Sequence, residues 1–263
     1  DLRAVYMVSA SDGWAAGKTG TILRWNGAVW TTFASPTNKD IGGIDFVSAS
    51  DGWAVAKGAD ILHWNGTAGS LFAHSAASDD LYGVDFVDAS NGWAVGAQGT
   101  IIYYNGTAWT AQSSLASREL HDVSMVSASY GVAVGGNGVG NGEIVEWNGS
   151  TWTITTPAGF TVNGQNGVHM FSSSSGQAVG GAPNEAQIMQ YSSGVWQDIT
   201  GQLGSKDIFG IDMLSASSGW AVGLQGAIWQ WNNADWVQKV SPTNNDLNSV
   251  SFINSSNGWA VSG

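Results

Sequence analysis

Gly92-Trp93-Ala94-Val95-Gly96 is one of seven copies of a single phrase in this chain of 263 residues. Intact or worn, the copies begin at Gly13, Gly52, Gly92, Gly131, Gly176, Gly219 and Gly258, at intervals of 39, 40, 39, 45, 43 and 39 residues. A period near forty means one supersecondary unit stacked along the chain. Outward from the phrase, residues 80 to 117 show the whole unit. Upstream, Leu81-Tyr82-Gly83-Val84-Asp85-Phe86-Val87 alternates apolar and polar from Val84, the period of a strand. Asp88-Ala89-Ser90-Asn91-Gly92 is turn-forming, and Trp93 to Gly96 makes a second strand. Downstream, the Ala97-Gln98-Gly99 loop leads to a third strand, Thr100 to Tyr104. Asn105-Gly106, the dipeptide of a type I′ hairpin, then leads to a fourth at Ala108 to Ala111.

Four short antiparallel strands per unit, with no helical period, predict an all-β chain: a seven-bladed β-propeller of four-stranded antiparallel blades. Residues 1–263 read as a single domain, with blades near 1–39, 40–79, 80–118, 119–163, 164–205, 206–245 and a partial one at 246–263. The last copy holds two strand patterns, so the seventh blade is expected to be incomplete in this chain, with an open edge that either residues outside this sequence cover or other copies of itself pair with. First-strand anchors recur as Val5/Met7, Ile44/Phe46, Val84/Phe86, Val123/Met125, Val168/Met170, Ile211/Met213 and Val250/Phe252. Across the third hairpin the aromatics recur too, except that the second copy has Gly69 where the others close with Trp30, Trp109, Trp152, Trp196 and Trp236.

Fourteen of the 15 tryptophans fall on repeat positions, which reads as packing between blades rather than as a sugar platform. Trp229, Tyr82 and Phe209 stand outside the pattern and are expected to be free for contact work.

The run Gly-Trp-Ala-Val-Gly-x-x-Gly-x-Ile, followed by a turn and a further Trp, resembles the propellers of the photosystem II assembly and stability factor type, relatives of the BNR or Asp-box repeat proteins. The resemblance spans essentially the whole chain and implies the blade fold. It implies little about activity, because such blades serve assembly factors, glycosidases and lectins alike. The Asp of the Asp-box turn is replaced here by Asn-Gly.

Eight Lys and Arg against 20 Asp and Glu leave a net charge of −12, which disfavours nucleic acid and anionic membranes. No apolar run approaches a membrane span, so no direct membrane insertion is expected. Without cysteine there is no thiolate zinc site. A polar surface poor in Lys, and a sequence beginning at Asp1, lead to the expectation of an extracellular or cell-surface protein. Asn65, Asn105, Asn148 and Asn254 stand in Asn-x-Ser/Thr sequons, candidate glycosylation sites that the repeat alone also explains.

Catalytic chemistry is scarce. A propeller sialidase grips its substrate with clustered arginines, whereas this chain has Arg3, Arg24 and Arg118, with Arg24 on an outer strand. Glu143, Glu146 and Glu185 read as solvated charges without the spacing of a glycosidase pair. His63 and His74 read as surface residues, while His121 and His169 lie on first strands, nearer the axis. No enzyme activity is expected. Asp45, Asp85 and Asp212 recur between the first-strand anchors and face opposite them, which is toward the axis if, as the resemblance implies, the first strands are innermost. Either each accepts a backbone N–H from the next blade, or together they hold a hard cation such as Ca2+; no other cofactor is implied. A second acidic set, Asp1, Asp40, Asp80, Asp207 and Asp246 with Glu119, precedes the first strands and reads as Asx turns.

Binding is expected where the copies differ, on the face carrying the loops into the first strands and between strands two and three. Arg3, Tyr82, His121, Phe209 and Asn248 stand there near the axis, with Lys18, Lys57, Gln98, Asn137, Glu185 and Gln225 further out. The insertions around Asn137 and Glu185 enlarge that face. These residues suit a protein-interaction or assembly module with a protein partner. A glycan-binding lectin is the second reading, and an assembly factor for a membrane complex, resting on the resemblance, is the third.

Overall fold

The structure is a computed structural model describing residues 1–136, 139–157, 163–182, 185–201, 203 and 206–263. In blade one the strands Leu2–Ser9, Asp12–Gly17, Ile22–Trp25 and Trp30–Phe33 pair antiparallel in chain order. Five more blades repeat that plan from first strands Ile41–Ser48, Leu81–Asp88, Leu120–Ser127, Gln165–Ser172 and Ile208–Ser215. The expectation of seven blades is corrected: six are four-stranded, and a two-stranded sheet of Leu247–Asn254 and Asn257–Ser262 stands in the seventh position. Residues 246 to 263 hold only the first two strand patterns of the repeat. The first strands touch in a closed cycle, with the seventh against the first, and so line the axis.

The glycine that opens each phrase exists to admit the anchor opposite it. A Cβ on Gly52, Gly92 or Gly258 would lie 2.2, 2.3 or 2.3 Å from the ring of Phe46, Phe86 or Phe252. The tryptophan that follows then packs against the next blade. Trp53 stacks on Phe86 at 5.2 Å and meets Tyr104 at 4.8 Å and Trp109 at 5.7 Å. Each such ring removes on the order of 150–250 Å² from water, so these stacks are the main source of cohesion between sheets. Trp229 belongs to the same core, 1% exposed beside Ile188 and Ile208, which corrects its expected freedom.

The hairpins between strands three and four also depart from expectation. Trp25 pairs with Trp30 and Tyr104 with Trp109, leaving four loop residues where a type I′ turn leaves two. The Asn side chain closes the loop instead: Asn105 Oδ1 accepts the N–H groups of Thr107 and Ala108, each at 3.0 Å. Asn65 and Asn148 accept in the same way, and Asn254 does so in the turn between the two strands of the seventh sheet. All four sequon asparagines are exposed. Blade five alone, among the described residues, has the two-residue turn, Ser193-Gly194, with φ of 50° and 90°.

The acidic set before the first strands links blades rather than closing Asx turns. Asp40, Asp80 and Asp246 accept the N–H groups of Thr19, Gly58 and Gln225 in the preceding blade at 3.0, 2.7 and 2.8 Å. Those donors have left-handed φ of 52°, 61° and 54°, which turns the N–H outward toward the next sheet.

Candidate functional site

Three tiers of first-strand side chains surround the axis. The innermost bonds run from one blade to the next in a constant rotational sense. Tyr6 donates its hydroxyl to the Phe46 carbonyl at 3.2 Å, Asp45 accepts the Phe86 N–H at 2.7 Å, and Asp85 accepts the Met125 N–H. Ser124 accepts from Met170 at 3.0 Å, Asp212 from Phe252 at 2.6 Å, and Ser251 from Met7 at 3.1 Å. His169 completes the relay with its Nδ1 3.6 Å from the Asp212 carboxylate. The recurring acids therefore accept backbone N–H groups, the first of the two sequence readings. Among the described residues no three His, Asp or Glu side chains are grouped to hold a metal ion.

One tier up, Asp122 and Ser249 accept the N–H groups of Val168 and Val5 at 2.9 and 3.3 Å. Glycine fills this tier in most blades, and at Gly43 a Cβ would lie 2.7 Å from the Tyr82 carbonyl. The first strands are thus held close enough that protein surrounds the acids. Burial pushes Asp85 up to about 6 and Asp122 up to about 7, and it raises Asp45 well above the carboxylate range, with Asp85 adding repulsion. Asp212 is raised by burial as well, against the pull of His169, whose own pKa burial lowers.

The top tier forms the mouth: Arg3, Gly42, Tyr82, His121, Asn166, Phe209 and Asn248. In all seven sheets the strand-one to strand-two register shifts across this residue, leaving it without a cross-strand partner. A β-bulge of this kind re-aims a side chain and is common beside binding sites. The mouth encloses a cavity of about 150 Å³. His121 Nδ1–H, Asn166 Nδ2 and Asn248 Nδ2 donate to the carbonyls of Gln165, Ile208 and Leu2 at 3.0, 2.8 and 2.7 Å, which orients their other polar atoms. Tyr82 meets His121 edge to face at 6.0 Å, and Arg3 reaches Asp40 at 3.4 Å. The Asp40 carboxyl is held below its usual range by the Thr19 N–H first, then by Lys57 and Arg3. This combination of aromatic faces, an amide pair and one guanidinium suits a polar chain with apolar branches.

Of the expected site residues, Arg3, Tyr82, His121, Phe209 and Asn248 do meet at the mouth, and Asn166 joins them. Aligning the first strands on their anchors would have found Asn166. Glu185 is exposed, 3.5 Å from Asn163, and does not line the cavity, while Asn137 lies outside the described residues. Glu143 is 5% exposed and accepts the N–H groups of Ser117 and Arg118, not a solvated charge as expected. His63 and His74 are likewise engaged: His63 stacks on Trp53 at 4.1 Å and meets Asp51 at 2.9 Å, and His74 Nε2–H donates to the Ala59 carbonyl at 2.7 Å. The three arginines are held apart, Arg24 against Asp12 and over the Trp14 ring, Arg118 against Asn141.

No protein-family model matches this sequence, and no curated protein matches it. Solved structures do match the fold. A structure of YCF48 bound to D1 peptide is 15% identical, with a TM-score of 0.77 over 99% of this chain and 90% of that one. YCF48 from Cyanidioschyzon merolae is 14% identical, with a TM-score of 0.73 over 98% and 92%. The WD40 β-propeller domain of Doa1 is 12% identical, with a TM-score of 0.82 over 100% and 89%. At these identities the likeness is one of fold. It agrees with the resemblance to assembly-factor propellers, and it brings no support for an Asp-box relationship.

Proposed function

We propose that this chain is a non-catalytic protein-interaction module whose axial mouth receives an extended segment of a partner polypeptide. The observation that carries the reading is the bulge repeated in every sheet, which brings six side chains, Arg3, Tyr82, His121, Asn166, Phe209 and Asn248, to one cavity. The similar fold of YCF48 bound to D1 peptide lends it support, and extends it to an assembly factor for a larger complex. A polar, Lys-poor surface favours an extracellular setting, and the separate engagement of the three arginines favours an absence of hydrolysis. Screening the purified chain against a peptide array tests the idea. Tyr82→Ala with Phe209→Ala is expected to weaken the best peptide at least about tenfold while leaving thermal stability nearly unchanged, since both rings sit at the rim rather than in the core. Undiminished peptide binding by that double variant would dismiss the mouth. Glycan binding lost in the same variant would favour the lectin reading, and saturable turnover of aryl glycosides would end the non-catalytic one.

A second reading, self-association, rests on the seventh sheet. Among the described residues Asn257–Ser262 pairs with Leu247–Asn254 alone, beside an apolar groove of about 360 Å³ lined by Trp220, Val222, Ile228 and Phe252, an edge that further residues of the protein would equally cover. A strand from a second copy would pair along that edge. Light scattering that reads a monomer at high concentration would dismiss it.

A further inference from the structure

Blade two lacks the closing tryptophan, yet the surface that would receive it is intact. In blade three Trp109 rests on three rings: Trp53 of the previous blade at 5.7 Å, Phe86 at 5.8 Å and Tyr104 at 5.4 Å. The equivalents around Gly69 are Trp14, Phe46 and Trp64, and they hold the same mutual arrangement. Trp14 lies 5.4 Å from Phe46 and 5.1 Å from Trp64, against 5.2 and 4.8 Å for the matching pairs in the next blade. Gly69 pairs with Trp64 as Trp109 pairs with Tyr104, so the register is shared. A Cβ at Gly69 would find its nearest neighbour 3.9 Å away, the rim ring of Phe33. What remains is an apolar slot open to the surface, about 40 Å³ as it stands, bounded by Trp14, Phe33, Phe46 and Trp64. Phe33, half-buried and edge-on to both Trp14 and Trp64, forms its rim.

We propose that this slot is a receptor for one indole ring, carried by a tryptophan side chain of a bound polypeptide. The other complete blades define the ligand, because five of the six seat an indole at this register position: Trp30, Trp109, Trp152, Trp196 and Trp236. They define the chemistry as well. The indole N–H groups of Trp109, Trp152 and Trp236 are buried without a hydrogen-bond partner, and only that of Trp196 among these four finds one, Glu146 at 3.3 Å, where blade one has Arg24 at the same repeat position, so the slot recognises a flat apolar ring rather than its nitrogen. An apolar cavity of this kind stays dry and takes up aromatic molecules of matching shape. The slot lies at the hairpin end of blade two, away from the mouth, so the inference does not depend on the peptide reading of that site.

The probes are indole and N-acetyltryptophanamide, tested on the wild type, on Gly69→Trp and on Trp109→Gly, which carves the same slot in blade three. Both probes at about ten times their Kd are expected to raise the wild-type melting midpoint by about 3 °C. Trp109→Gly, which carries both slots, should rise about twice as far, and Gly69→Trp should stay unmoved while itself melting higher than the wild type. Chemical shifts of the Phe33 and Trp64 ring protons provide a readout that survives if a variant folds poorly. Equal response in wild type and Gly69→Trp, or no response in the wild type at millimolar indole, would overturn the proposal. Binding of indole without N-acetyltryptophanamide would overturn the polypeptide source.

Discussion

Replacing Trp53 by Ala is expected to cost about 3–5 kcal/mol and lower the melting midpoint by about 10 °C, whereas the same change at Trp220 costs less than half as much. The two residues hold the same place in the repeat. Trp53 is 2% exposed and enclosed by Phe86, Tyr104, Trp109, Phe72 and His63, so its loss leaves a cavity that neighbouring sheets cannot close. Trp220 stacks flat on Phe252 at 4.9 Å but borders the open groove of the two-stranded sheet, so one of its faces has little to lose. Chemical denaturation of both variants followed by circular dichroism decides the matter. An equal cost at both positions would mean that Trp220 is covered by something beyond the two strands described.

Stability should fall as pH rises from about 4 to 8, most steeply between the unfolded value near 4 and the folded value of Asp85 near 6, where Asp85 and Asp122 both keep a proton only in the folded chain. Asp85 at about 6 and Asp122 at about 7 stand above the unfolded value of about 4, so the folded chain holds protons that the unfolded chain has released. The stabilisation they give is complete below the unfolded pKa and is lost as pH passes the folded one. Asp45 and Asp212, also raised, act in the same direction. His169 opposes them, because its lowered pKa makes stability rise with pH up to about 6.5, but it is one group against four. Asp122→Asn removes one ionisation and keeps an oxygen for the Val168 N–H, but turns its amide NH2 toward the Val123 N–H that the second carboxylate oxygen accepts at 2.9 Å. Its stability should therefore fall less steeply with pH than that of the wild type, by the share Asp122 contributes. Urea midpoints measured across the range check this, and a flat or rising wild-type profile would refute it.

Much of this architecture is legible in the repeats, because an anchor pair such as Val84 and Phe86 specifies which face of a strand is buried, and the copies multiply that signal. The axial acceptors are legible for the same reason: Asp45, Asp85 and Asp212 alternate with the anchors. The hairpin type is not, since Asn105-Gly106 is compatible with both a two-residue and a four-residue loop until the Tyr104 to Trp109 register is known. The mouth is half legible. Tyr82, His121 and Phe209 draw notice as unusual residues, but the bulge that aims them belongs to the pairing of two strands, and Asn166 looks ordinary without it. The engagement of Glu143 and His74 depends on the paths of neighbouring loops, which carry no period at all.

The one-way relay around the axis makes each repeat a self-sufficient cassette. A blade such as residues 80–118 brings an acceptor for its successor, Asp85, and a donor for its predecessor, the Phe86 N–H. Duplicating or exchanging such a segment would carry both halves of the joint along, with no redesign of the neighbours. Blades one and five are the exceptions: Tyr6 donates its hydroxyl to the Phe46 carbonyl instead of accepting an N–H. His169 contacts the Asp212 side chain rather than the Met213 backbone, so blades five and six are matched to each other and would have to travel as a pair. As far as the axial joint is concerned, the blades are interchangeable at every junction but these two.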